Sequence, residues 1–180
     1  MNEIRLYKSR WKAVKLLLLA LPFVLFAGYN IWHGLHFLPA SLSWLILCLF
    51  ATGIPISIYN LFDRRPQIII NETGIFDRSA YKDFINWDTI DHAYWKTTYK
   101  QPFICLIIKD EYKHLIKGKN KLKELSLALG FAEVNIDLSP VSNVNQEKLT
   151  ALIIRLTDAE PSDRSKLLTH IPKINYEHTA

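Results

Sequence analysis

LLLLALPFVLFAGYNIWHGLHFLPASLSWLILCLFATGIPISIYNLF, residues 16–62, is a stretch of 47 residues without one Asp, Glu, Lys or Arg. A soluble domain of ordinary composition does not carry such a run. It is too long for one membrane crossing, since about 20 helical residues span a hydrocarbon core of about 30 Å. The break falls at His33-Gly34-Leu35-His36-Phe37-Leu38-Pro39, where Gly and Pro punctuate the pattern. The stretch therefore predicts a two-helix hairpin with spans at about 11–32 and 40–62.

Working outward, the charges fall at the flanks. The chain has 180 residues and a net charge of +5. Residues 1–65 hold seven basic side chains, Arg5, Lys8, Arg10, Lys12, Lys15, Arg64 and Arg65, against Glu3 and Asp63, while residues 66–180 are neutral overall. Membrane topology accounts for that placement, and nucleic acid is not an expected partner. Trp11, Lys12, Lys15, Trp32, Tyr59, Arg64 and Arg65 are the expected interface anchors. With basic residues before the first span and after the second, both termini are expected in the cytoplasm. A cleaved signal peptide is the rival reading, but no good small-x-small cleavage site follows the first apolar run, and a second such run follows directly. Pro55, near Gly53, reads as a kink whose freed carbonyl a neighbouring helix satisfies.

From Pro66 the period changes. Residues 67–71, 75–76, 84–87, 90–97 and 103–108 read as strands, separated by turn signals. Residues 112–116 are expected to pair with 103–108 as a hairpin. Leu122, Leu125 and Leu129 mark a short helix ending at Gly130. Val134, Ile136 and Leu138 alternate as a last strand. Asn143 or Asn145 caps a stronger helix with the stripe Leu149, Leu152, Ile153 and Leu156, closed by Pro161. The fold class expected is α+β: a transmembrane hairpin in residues 1–65, an antiparallel β-roll or barrel in 66–160 capped by a C-terminal helix, and a polar tail in 161–180. Ile85, Trp87, Ile90, Leu152 and Leu156 are expected in its core.

Gly74-Ile75-Phe76-Asp77 after a strand-ending turn, followed by Ile85-Asn86-Trp87-Asp88-Thr89-Ile90, resembles a group of small bacterial inner-membrane proteins. These carry two N-terminal transmembrane helices and a cytoplasmic pleckstrin-homology-like (PH-like) domain. The resemblance covers residues 5–158. It implies a PH-like roll capped by the C-terminal helix, and it supplies no catalytic residues. The first hairpin here offers only Arg78 and Lys82 as basic groups.

Chemistry-bearing patterns are sparse. Asp88, Asp91 and His92 are close in sequence, but adjacent strand residues point to opposite faces, so a solvated strand end is the simpler reading. Glu111 and His114 are no stronger. Cys48 and Cys105 form no CxxC motif and sit in different media, so neither a metal site nor a disulfide is expected. Gly118 stands alone, without a phosphate loop. Asn71-Glu72-Thr73 matches a glycosylation acceptor, which has no meaning on a bacterial cytoplasmic face. The strongest polar feature is the run Lys109, Lys113, Lys117, Lys119, Lys121 and Lys123. It reads as a solvated loop, or as a contact for anionic lipid or an acidic protein.

The function expected is a non-enzymatic binding or scaffold module anchored in the bacterial inner membrane. It needs no cofactor and no metal. Its partners would be membrane lipid and a second protein or copies of itself. The alternative is a membrane-acting defence effector or toxin-immunity protein whose hairpin is the working part.

Overall fold

The computed structural model describes residues 2–34, 37–114, 132–141 and 144–169. The chain divides into two units, one formed by residues 8–64 and the other by residues 1–7 together with 65–180.

The first unit is a helical hairpin. Helix α1 covers Arg10–His33 and helix α2 covers Ala40–Phe62. Both are long and apolar enough to cross a membrane. Ala13, Ala20 and Ala27 recur every seven residues and are the buried apolar side chains of α1. Such small side chains let a second backbone come close. Opposite them, a Cβ added at Gly53 would lie 3.6 Å from the Ala20 Cβ. Phe23 and Phe50 stack with ring centroids 4.3 Å apart. The buried Asn30 donates its amide to the Ser43 hydroxyl at 2.7 Å and to the Leu38 carbonyl at 3.2 Å. Gly34 ends α1 at φ 60°, the left-handed turn that glycine adopts freely. At the other end Lys8 Nζ donates to Asn60 Oδ1 at 3.1 Å and lies 3.9 Å from Asp63 Oδ2. The roots of the two helices are thus held together. Pro55 lies within α2 without ending it.

The second unit contains two antiparallel sheets. The first has the order β1-β2-β3-β4, from Ile4–Tyr7, Pro66–Ile70, Gly74–Asp77 and Ile85–Asn86. The second has the order β5-β6-β7, from Ile90–Thr98, Gln101–Ile108 and Val134–Asp137. A 3-10 turn at Trp87–Thr89 joins β4 to β5. Helix α3, Gln146–Asp158, follows the second sheet, and α4 covers Pro161–Thr169. Asn145 caps α3 by accepting from the Lys148 N–H at 3.0 Å. Alternation places Ile68, Ile70, Ile75, Ile85, Ile90, Ile104, Leu106, Ile108, Val134 and Ile136 in one core with Trp87. Leu149, Leu152, Ile153 and Leu156 join that core from α3. At about 25 cal/mol per Å² of apolar surface, four such side chains contribute several kcal/mol before chain entropy.

Three features differ from the sequence-based expectation. Residues 4–7 form a strand inside the β unit rather than a free basic segment. A strand reading of 4–7 needs a partner, and its partner β2 lies beyond the whole hairpin, so no local pattern reveals it. The expected strand at 112–116 gives way to a 3-10 turn over Asp110–Tyr112, and β6 pairs with β7 instead. The tail expected from residue 161 begins with α4: Pro161 stands at the first helical position, where its missing N–H costs nothing. The helix expected around Leu122, Leu125 and Leu129 lies outside the described residues.

Candidate functional site

The β unit has one end from which both connections to the hairpin leave, because Tyr7 of β1 is the register partner of Pro66 of β2. A proline at the first position of a strand loses no ladder bond further in. The next residue begins a buried polar chain. Gln67, 1% exposed, donates from Nε2 to Asp77 Oδ1 at 2.9 Å. Asp77 shares the inner face of β3 with Ile75 and is also 1% exposed. Its Oδ1 further accepts from the Ser79 N–H at 2.8 Å and the Ser79 hydroxyl at 2.7 Å, while Oδ2 has no hydrogen-bond partner. The Tyr81 N–H donates to the Asp77 carbonyl at 3.0 Å.

Tyr81 carries this chain into the second sheet. Its phenol oxygen accepts from the Asn135 N–H at 3.0 Å, on the edge strand β7. Burial pushes the Tyr81 phenol up to about 12, against the opposing effect of the Asn135 donor, with the nearby Asp77 adding to the rise. Tyr81 therefore stays neutral at physiological pH and acts as a fixed polar strut. The β3–β4 connection is in this way tied to β7.

The opposite end of the first sheet is built on Asn71. Its side-chain oxygen accepts from the Thr73 and Gly74 N–H groups at 2.9 and 3.0 Å, and its carbonyl accepts from Trp87 Nε1 at 2.8 Å. Gly74 is required there because a Cβ would collide with the Ile85 carbonyl. The sequence element Gly74…Trp87 is thus a packing device that fixes the first sheet to the start of the second.

Of the candidate lysines, two are described. Lys109 Nζ donates to the Asp88 carbonyl at 2.8 Å. Lys113 bridges Asp110 at 2.7 Å and Glu133 at 2.8 Å. Hydrogen bonds to Asp110 and then Glu133 raise the Lys113 ammonium above its ordinary value. The same contact holds the Asp110 carboxyl below its usual range. Burial alone would raise Glu133, but Lys113 and backbone donors outweigh it and leave that carboxyl lowered. Lys113 is therefore occupied in tying the two ends of the β6–β7 connection together. Lys117, Lys119, Lys121 and Lys123 lie outside the described residues.

Asp88, Asp91 and His92 are not brought together as a site. Asp88 accepts from Arg164 at 2.5 Å, while Asp91 and His92 are exposed where the β5–β6 register shifts. Among the described residues no group of three His, Cys, Asp or Glu side chains could hold a metal ion. Arg164 is one of the polar residues that sequence reasoning missed. It is 4% exposed, and its Nε donates to the carbonyls of Leu156 and Ala159, each at 3.1 Å. It thereby caps the C-terminus of α3 and clamps it to the Trp87–Thr89 turn. An arginine three residues after a proline at a helix start was the only signal available.

Within the hairpin unit, Trp11, Trp32 and Tyr59 are exposed, and Lys15 Nζ lies 5.7 Å over the Trp11 ring. Arg64 and Arg65 are exposed beyond α2, and Lys12 is engaged in a contact of its own. In the β unit Ile85, Trp87, Ile90, Leu152 and Leu156 are all buried. No family model, curated protein or solved structure matches the chain.

Proposed function

We propose that this chain is a two-pass protein of the bacterial inner membrane whose hairpin anchors a cytoplasmic, PH-like β unit, and that the unit binds a protein or lipid partner without catalysing a reaction. The observation that carries the reading is the pairing of β1 with β2. Strands before and after the hairpin belong to one sheet, so both lie on the same side of any bilayer the hairpin crosses. The basic residues at both hairpin roots favour the cytoplasmic side. A four-stranded and a three-stranded antiparallel sheet followed by an amphipathic helix support the PH-like assignment. Anchored through two chain connections, the unit would meet membrane-bound partners at raised effective concentration.

The test is crosslinking in intact cells, followed by purification of the full-length protein and mass spectrometry of what accompanies it. A stoichiometric second protein supports the reading. Topology is checked with a reporter fused after Ala180, expected to be active only as a cytoplasmic fusion; periplasmic activity would refute the arrangement.

A further inference from the structure

The β5–β6 hairpin closes on Tyr99 and Lys100, with Thr98 and Gln101 as its last paired residues. Both turn residues lie in the left-handed region, at φ 50° and 65°. Two-residue hairpin turns of this form suit Asn-Gly or Asp-Gly, which reach positive φ with little strain. Tyr and Lys do not, and strained backbone of this kind is kept where the side chains serve a purpose. That purpose is not core packing, because Tyr99 is 95% exposed.

The composition of the hairpin indicates what the tip meets. From His92 to Lys109 there is no Asp or Glu, against Lys96, Lys100 and Lys109 and the aromatics Tyr94, Trp95, Tyr99 and Phe103. Trp95 is itself 47% exposed. Asp137 stands opposite Phe103 on β7, away from the turn. At the turn itself, exposed amphipathic rings beside a lysine match the headgroup layer of an anionic bilayer. An acidic protein surface would also attract the lysines. The bilayer is favoured because this chain carries its own pair of bilayer-length helices.

We propose that the β5–β6 tip is a bilayer-interface contact, in which Tyr99 enters the headgroup layer of an anionic membrane and Lys100 faces its phosphates. This rests on the reading of α1 and α2 as membrane-spanning, and the experiment separates the two.

Full-length protein is reconstituted in vesicles of three parts phosphatidylcholine to one part phosphatidylglycerol. A nitroxide is attached at Gln101→Cys, next to an intact Tyr99, in a Cys48→Ala background, with the buried Cys105 left in place. Reference labels sit at Leu25→Cys on the exposed face of α1 and at Arg155→Cys on the exposed face of α3. The Gln101 label is expected to favour oxygen over a water-soluble nickel chelate several-fold more than the Arg155 label, and less than the Leu25 label. Adding Tyr99→Ser is expected to bring it down to the Arg155 level. A Gln101 label as aqueous as Arg155, with Leu25 in hydrocarbon, overturns the tip contact alone. An aqueous Leu25 label overturns the membrane-spanning reading and the tip contact with it. A Gln101 label shielded from both reagents means that the tip packs against a second copy of the chain, which also overturns the proposal.

Discussion

Tyr7 and Pro66 are register partners across β1 and β2, although 58 residues of chain separate them. The strand that leads into the hairpin and the strand that leads out of it are neighbours in one sheet. β1 brings Leu6, 5% exposed, onto the core beside Ile68 and Ile70.

The β unit is therefore expected to need its first seven residues. A variant in which residues 8–64 are replaced by a short Gly-Asn turn should fold as a soluble protein with a cooperative thermal transition. A fragment that begins at Arg65 should be less stable by about 2–3 kcal/mol, the burial of one large aliphatic side chain, or should aggregate through the exposed edge of β2. Equal melting of the two proteins would contradict the role assigned to β1.

Arg164→Met should cost about 2–4 kcal/mol, because it leaves the Leu156 and Ala159 carbonyls without their donor. Asp88→Asn should cost much less, since Asp88 is largely exposed and the exposed half of an ion pair contributes little. Denaturant melts of the two variants in detergent give the comparison.

Asp77→Ala should destabilise the unit by about 1–3 kcal/mol, by stranding the buried Gln67 amide and releasing Ser79. Tyr81→Phe removes only the acceptor for the Asn135 N–H and should cost about 1 kcal/mol. Faster hydrogen exchange confined to the Asn135 amide would mark the second effect as local.

Replacing Tyr99-Lys100 by Asn-Gly should stabilise the protein in detergent by about 1–2 kcal/mol, because both residues leave a strained region. A rise in Tm of a few degrees checks this. An unchanged or lowered Tm would mean that the turn holds no strain to release.

The Lys113 tie should respond to pH at both extremes. Asp110 and Glu133 are lowered in the folded state, so their contribution is present above the ordinary carboxylate values and is lost as pH falls through the lowered ones. Lys113 is raised, so its contribution is complete below the ordinary lysine value, about 10.4, and is lost only as pH rises through the raised one. Neutral pH lies inside the stable window. Exchange at the start of β7 should accelerate in acid, and Lys113→Ala should remove that dependence.

The hairpin and much of the second unit were legible because their signals are local. An uncharged run of 47 residues broken once by Gly and Pro reads locally as two helices, and the alternation in 67–71 and 103–108 needs no partner to be recognised. Trp87 and the stripe from Leu149 to Leu156 could be assigned to a core for the same reason. What was illegible depends on long-range pairing. β1 has four residues and borrows its stability from β2. Asp77, Gln67, Tyr81 and Asn135 come from three separated segments, and only the fold turns them into one hydrogen-bonded chain. The turn between β5 and β6 was signalled by Lys100-Gln101-Pro102, and the structure closes it slightly earlier, on Tyr99-Lys100.

The insertion of the hairpin between β1 and β2 also orders assembly in time. β1 leaves the ribosome first, yet it has nothing to pair with until both helices have been made and β2 has emerged. Under the membrane-spanning reading, a chain that inserts only one of the two helices strands β1 on the far side of the bilayer from its partner. The first sheet then cannot close, and Ile68 and Ile70 stay uncovered. Closure of the sheet would thus be a built-in check on membrane insertion, and misinserted copies would present an open, aggregation-prone edge to the quality-control proteases of the cell.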